Sequence, residues 1–330
     1  MDFSLLFKTQ PKFVSLITRS VKKNRLSQLY LLSGDKGVQK MQGALYIASL
    51  ILCENKCACG KCKECQAIDR GYNHNLFVID GSVDAKIKRE QVDELIEYFS
   101  LTSESARVFI INNIESATPA ASNALLKFLE ELNDKTYGIL ISNNINATLQ
   151  TIKSRSQVIS FEKINNEDLI KIYESKSIEP EMARILSVLT NDINEGINIY
   201  HDEVAMDVLN LVKKVNEALI EEKNGSLVMN DYGKFLITNK DKKYHQMFLD
   251  LLITIIYDRL FYQLGKRDEM IFKDTFEELE ANGVDARNIS YKDTFKQLDV
   301  MLECKDKIGY NINLELMYMD LFIKCEVNND

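Results

Sequence analysis

Five cysteines fall within thirteen residues: Cys53, Cys57, Cys59, Cys62 and Cys65, interleaved with Lys56, Lys61 and Lys63. Zn²⁺ favours four thiolates in a tetrahedron, and each Cys-x-x-Cys turn presents two sulfurs to one ion. Gly60, directly after Cys59, lets backbone N–H groups approach the sulfurs. Buried free cysteines are the structural alternative, but the segment is too dense and too polar for it. A disulfide framework conflicts with a cytoplasmic location, and an iron–sulfur site lacks its usual spacing ending in Cys-Pro. Spacing makes Cys59, Cys62 and Cys65 ligands and leaves the fourth open between Cys53 and Cys57. Without an open coordination position or a nearby acid or base, one structural zinc is expected rather than a catalytic one.

A second cluster is the turn Gly34-Asp35-Lys36-Gly37-Val38-Gln39-Lys40-Met41, which follows an apolar run and precedes a helical pattern. That is the context of a phosphate-binding loop with the pattern Gly-x-x-x-x-Gly-Lys-[Ser/Thr]. Gly34, Gly37 and Lys40 keep parts of it, with Lys40 at the phosphate-binding lysine. Gln39 replaces the last glycine, where backbone must wrap the phosphates. Met41 replaces the hydroxyl that would hold Mg²⁺, a hard cation that a thioether ligates poorly. Hydrolysis also needs an acidic end to the next core strand, where Asn112 and Asn113 stand instead. The loop is therefore read as a degenerate nucleotide site; the bland alternative is any tight strand-to-helix turn.

These residues need a scaffold, and the apolar runs supply one. Leu29–Leu32, Leu76–Ile79, Val108–Ile111, Ile139–Ile141 and Val158–Phe161 alternate with helical patterns at about 39–53, 89–101 and from Thr118 onward. Thr118 suits an N-cap, Pro119 the first helical position, and Leu125, Leu129 and Leu132 share a face. Near-continuous apolar strands alternating with helices indicate a parallel sheet covered on both faces. Beyond Phe161 the strand signals thin out. Residues 162–205 read as three short helices, the second starting at Pro180, and Met247–Leu264 is the clearest apolar helix of the remainder.

The chain has 330 residues, and at ~150 per domain length alone favours two domains. The element pattern instead divides it into an α/β domain (1–161, zinc module at about 53–65), a small helical domain (162–207) and a helical C-terminal domain (208–330). No apolar run reaches the ~18 residues of a membrane span, and the start Met1-Asp2-Phe3-Ser4 lacks a signal peptide's features; a cytoplasmic protein without membrane contact is expected. Net charge is −8, which disfavours coating nucleic acid by charge. It is split: 20 basic and 16 acidic residues give +4 for 1–160, and 21 and 33 give −12 for 161–330. The basic cluster Lys22, Lys23 and Arg25 reads as a solvated face. His74, His201 and His245 are too scattered for catalysis.

In combination these motifs resemble the bacterial clamp-loader ATPases of the AAA+ family. The cysteine cluster is followed by Gly71-Tyr72-Asn73-His74. The run Ala121–Glu131 is similar to the family's signature helix, its leucines read as core and Lys127, Glu130 and Glu131 as a solvated face. Thr151-Ile152-Lys153-Ser154-Arg155-Ser156 resembles the family's Ser-Arg-Cys segment, with Ser156 in place of cysteine. The motifs stand in family order over about residues 1–160. Their losses resemble the degenerate delta-prime branch of the DNA polymerase III clamp loader rather than the gamma/tau branch.

The resemblance implies an AAA+ P-loop-type sheet domain with a zinc module, then a helical lid and an all-α collar for hetero-oligomerisation. It implies Cys53 as the fourth ligand with Cys57 extra, and Asn194 where active relatives carry a sensor arginine. It implies that Arg155 is an arginine finger reaching into a neighbouring gamma/tau ATP site. No intrinsic ATPase is expected. The subunit would belong to the DNA-directed DNA polymerase III holoenzyme, a nucleotidyltransferase active in DNA replication. Implied partners are gamma/tau and delta subunits, with the sliding clamp and primer-template DNA met through the assembled complex. The alternatives are an ATP-hydrolysing gamma/tau-type subunit and a zinc-dependent nucleic-acid-binding module.

Overall fold

A computed structural model describes residues 1–81, 86–100, 103, 105–221, 225–308 and 313–325. The chain forms two compact units, Met1–Ile164 and Asn165–Asp330. In the first, the five apolar runs are strands: β1 (Leu29–Ser33), β2 (Leu76–Asp80), β3 (Arg107–Asn112), β4 (Thr136–Ser142) and β5 (Gln157–Ser160). They form one parallel sheet in the order β2-β3-β4-β1-β5. Parallel pairing puts every carboxyl end on one edge. Ser33 stands beside Ser142 and Ser160, and Asp80 beside Asn112.

The continuous apolar runs follow from burial on both faces. Tyr30, Leu32, Val108, Ile110, Ile139 and Ile141 face one core, with Phe13, Ile17, Ala44 and Ile47 from the helices Pro11–Lys22 and Lys40–Leu52. Leu29, Leu31, Phe109, Ile111 and Leu140 face the other, closed by Leu95 of Arg89–Ser100 and Leu125 of Pro119–Glu130. The cap read at Thr118 is formed: its side chain accepts from the Ala121 N–H at 3.3 Å. The helix expected from about Gln39 starts one residue later, because Gln39 itself is left-handed (φ 66°). The expected helix end at Leu101 lies outside the described residues.

The second unit is helical. Pro180 starts the second of three short helices, Asn166–Glu174, Pro180–Leu189 and Ile193–Tyr200. The apolar helix is Lys242–Gln263, starting five residues before the expected Met247. The helix Glu203–Ile220 runs unbroken through position 207. The short helices are fastened to the later ones: Glu181 accepts from Lys213 Nζ at 2.6 Å and from the Thr275 N–H at 2.7 Å, and Arg184 Nε donates to Ile271 O at 2.9 Å. Inside the unit the fully buried Arg259 donates to Gln297 Oε1 and Asn216 Oδ1, both at 2.7 Å. Asp258 accepts the N–H groups of Ile271 and Phe272, and burial pushes its carboxyl up to about 6. No helix among the described residues is long and apolar enough to cross a membrane.

Gly138 shows how tightly the sheet is packed. It sits in β4 opposite Leu29 and Phe109, and a Cβ there would lie 2.6 Å from Leu29 Cδ1 and against the Phe109 ring. Both neighbours are buried, so the strain has no outlet. Gly138→Ala is expected to destabilise the protein by about 1–3 kcal/mol, read as a lower urea midpoint at unchanged m-value.

Candidate metal centre and degenerate nucleotide site

Cys53 follows the helix Lys40–Leu52 in an extended conformation, which turns the chain into the cysteine segment. Cys62 caps the next helix, Lys63–Asp69, and Cys65 lies in its first turn. Between them Lys56, Ala58 and Gly60 take positive φ, winding the segment tightly. The sulfurs of Cys53, Cys59, Cys62 and Cys65 lie within 4.8 Å of one another, with Cys53 and Cys62 3.9 Å apart. The Cys62 N–H donates to Cys59 Sγ at 3.4 Å and the Cys65 N–H to Cys62 Sγ at 3.5 Å. Cys57 is exposed and outside this group, and His74 is exposed as well.

The electrostatics of the group set two of its thiols apart. Burial opposes ionisation of Cys53, but the N–H groups of Cys59, Cys57 and Asn55 outweigh it and bring the thiol down to about 6. Burial pushes the Cys65 thiol up. Adjacent thiolates repel unless a cation lies among them. The four cysteines can thus hold one metal ion. Asn73, in the quartet after the cluster, holds the module's exit: Nδ2 donates to Glu64 Oε2 at 2.6 Å, and Oδ1 accepts from the Asn75 N–H at 2.7 Å, just before β2.

At the sheet's carboxyl edge the turn after β1 is folded on itself. A Cβ at Gly34 would lie 2.7 Å from Phe161 O, so glycine is required where this turn passes the end of β5. Gly37 has φ +87°. Lys40 is buried, and its Nζ donates to Gly34 O at 2.7 Å and to Asp35 O. Met41 is half-buried and packs against the first core face. Asn112 Nδ2 donates to Asp80 Oδ1 at 2.9 Å, and Asn113 is left-handed, its Oδ1 accepting from Asn143 Nδ2 at 3.3 Å. Both amides are occupied in structural bonds.

Glu115, which sequence reasoning misses, is a further carboxylate at this edge, beside Asp35 and Asp80. Its Oε1 accepts the N–H groups of Asn143 and Asn144 at 2.7 and 3.0 Å. The available signal was an acid two positions beyond Asn113, in the loop after β3. Arg155 ends the helix Gln150–Arg155. One terminal nitrogen donates to Thr151 O at 3.1 Å, and the other pairs with Glu130 Oε1 at 2.6 Å. Asn194 is exposed, its N–H taken by Asp192 Oδ1. His201 is exposed, while the buried His245 is held between Tyr318 Oη and Asn239 O, both at 2.9 Å.

Burial lowers the Lys40 ammonium to about 8, with the charges of Glu115 and Asp35 resisting the drop. An unfolded lysine titrates near ~10.4. Between pH 8 and that value the unfolded chain holds a proton that the folded chain has released, so Lys40 makes stability rise with pH across this window; below pH 8 its burial penalty is undiminished. Lys40→Met is expected to remove this rise, seen as a flatter stability curve than wild type between pH 8 and 10 in parallel urea titrations.

Residues 9–165 match the family model described as DNA polymerase III, delta subunit. The delta-prime subunit of DNA polymerase III from Bacillus subtilis is 30% identical over 314 residues, 93% of each chain. That of Pseudomonas aeruginosa is 36% identical over 132 residues, 38% of this chain and 40% of the relative. The gamma subunit from Buchnera aphidicola of Schizaphis graminum is 25% identical over 248 residues, 71% of this chain and 67% of the relative. With that identity to the Bacillus protein running nearly end to end, the chain belongs to the DNA polymerase III delta-prime clamp-loader subunits.

Proposed function

We propose that this clamp-loader subunit does not hydrolyse ATP and instead supplies Arg155 to the ATP site of a neighbouring gamma/tau subunit. The observation that carries the reading is the state of its own site. Lys40 is bound to the loop's carbonyl groups, Met41 offers no hard oxygen, and Asn112 and Asn113 are neutral and already bonded. These features disfavour the gamma/tau-type alternative, in which the chain's own site would hold Mg²⁺.

The surroundings of Arg155 support use in trans. Its side chain is 39% exposed and Glu130's is 53% exposed; an ion pair this wet contributes about 0–1 kcal/mol. Exchanging Glu130 for a neighbour's phosphate oxygens therefore costs little, and a guanidinium forks onto phosphate bidentately. We assign 1–161 to the AAA+ domain, 162–207 to the lid and 208–330 to the collar, with the unbroken helix Glu203–Ile220 coupling the last two. The collar exposes Leu316, Met319 and Ile323 on the helix Leu314–Cys325, apolar surface suited to packing against other subunits. Delta and gamma/tau subunits are the proposed partners, with the sliding clamp and primer-template DNA engaged through the complex in the cytoplasm.

The metal is proposed to be one structural Zn²⁺. A tetrahedron with Zn–S near ~2.3 Å has edges of about 3.8 Å, close to the 3.9 Å between Cys53 and Cys62. Four thiolates would leave no position for water, so the ion would fasten the chain after the helix Lys40–Leu52 to the helix Lys63–Asp69.

Elemental analysis of purified chain should find one zinc. Cys53→Ser should lose most of it and melt at lower temperature, whereas Cys57→Ser should keep it; equal retention by both variants would refute this ligand set. For the finger, DNA-dependent ATPase is measured after reconstitution with gamma/tau and delta. The purified chain alone should turn over no ATP. Arg155→Ala should remove the turnover of one neighbouring site, and Arg155→Lys should not restore it, because an ammonium lacks the planar fork. Unchanged ATPase with Arg155→Ala refutes the finger.

A further inference from the structure

The segment joining β4 to the helix Gln150–Arg155 is held from several sides. Glu115 Oε1 takes the N–H groups of Asn143 and Asn144 at 2.7 and 3.0 Å. Asn143 is also bonded through its side chain to Asn113. Ser142 Oγ accepts from the Asn144 N–H at 3.1 Å and from Thr148 Oγ1 at 2.9 Å, and Asn144 Oδ1 accepts from the N–H groups of Asn146 and Ala147. Seven residues after Thr148, the short helix ends at Arg155. Glu115 is the one acidic side chain of this network. Its second oxygen, Oε2, is buried and has no hydrogen-bond partner among the described residues.

In nucleotide-responsive domains, loops near the bound phosphates are ordered by the phosphate oxygens and released when the phosphate leaves. Here an internal carboxylate supplies the anion: it accepts strand-end N–H groups, as a phosphate oxygen would, and shares the sheet edge with Lys40. We propose that Glu115 is a positioning residue that holds the 142–149 linker, and through it Arg155, in one arrangement independent of any nucleotide on this chain. The inference rests on the finger reading of Arg155. It adds a residue on which the finger's placement depends. Charge-assisted bonds from a carboxylate to backbone N–H groups are strong enough for this role, and a misplacement of about 1 Å in a catalytic group can cost up to about 100-fold in rate.

The test uses full-length chain. Hydrogen exchange is measured at the Asn143 and Asn144 amides, and ATPase in the complex reconstituted with gamma/tau and delta. Glu115→Ala should speed exchange at both amides and lower kcat about tenfold at unchanged KM for ATP. Glu115→Gln keeps an acceptor at Oε1 without the charge and should restore both readouts in part. On an Arg155→Ala background, Glu115→Ala should cause no further loss. If Glu115→Ala proves too unstable to purify, Glu115→Asp, which draws the acceptor back by one methylene, is read the same way. Faster exchange with wild-type kcat, while Arg155→Ala is impaired, overturns the positioning role and leaves the finger standing. Unchanged exchange overturns it as well. An Arg155→Ala complex with wild-type ATPase removes the finger and this inference together, even where the exchange result holds.

Discussion

Parallel strand pairing is the constraint on which the N-terminal unit depends. Because all five strands run the same way, every strand end opens onto one edge, and the residues with chemical potential collect there. Gly34 and Lys40 follow β1, Asn112, Asn113 and Glu115 follow β3, and Asn143 and Asn144 follow β4. The crossovers that such pairing requires put helices on both faces, so the central strands β1, β3 and β4 are buried almost throughout and read as uninterrupted apolar runs, while the edge strands β2 and β5 stay partly exposed. A turn at this edge must find partners for its own backbone groups. Lys40 does so by bonding to Gly34 O and Asp35 O.

The same edge is ordered by contacts within the chain. The turn after β1 keeps glycine where the end of β5 presses on it, and Gln39 adopts left-handed geometry without a glycine's freedom. Asn112 and Asn113 have been drawn into bonds with Asp80 and Asn143, and Glu115 ties the loop after β3 to the end of β4. Together these contacts order the edge through the chain's own groups, the Glu115 bonds to the Asn143 and Asn144 N–H groups being charge-assisted.

The two units differ in how polar groups are buried. In the first, the buried charged side chains among the described residues are Lys40 at the rim of the sheet and Arg107 at the start of β3, whose guanidinium donates to Tyr98 O and Phe99 O. In the second, Asp258 and Arg259 are buried side by side on the helix Lys242–Gln263 but do not pair: Asp258 caps backbone N–H groups at Ile271 and Phe272, and Arg259 is held by the neutral Gln297 and Asn216. Such groups destabilise when left unpaired, so they fix which helix faces meet.

Much of the fold was legible because its signals are local. Apolar runs mark strands, Thr118-Pro119 marks a helix start, and Cys-x-x-Cys marks turns that bring two sulfurs together. The sequence by itself therefore determined a parallel α/β unit followed by helices, and the presence of a cysteine cluster beside a turn that keeps part of a phosphate-loop pattern. Tertiary structure alone decided the rest. Spacing left Cys53 and Cys57 equivalent, and only the path of the chain out of the helix Lys40–Leu52 brings the Cys53 sulfur against Cys62 while leaving Cys57 in water. Glu115 carried no motif, since its partners are backbone N–H groups 28 and 29 residues away, and backbone groups are the same in every sequence. Arg155 and Glu130 met for a similar reason: a surface ion pair is set by how two helices lie on the sheet, which their own residues do not encode.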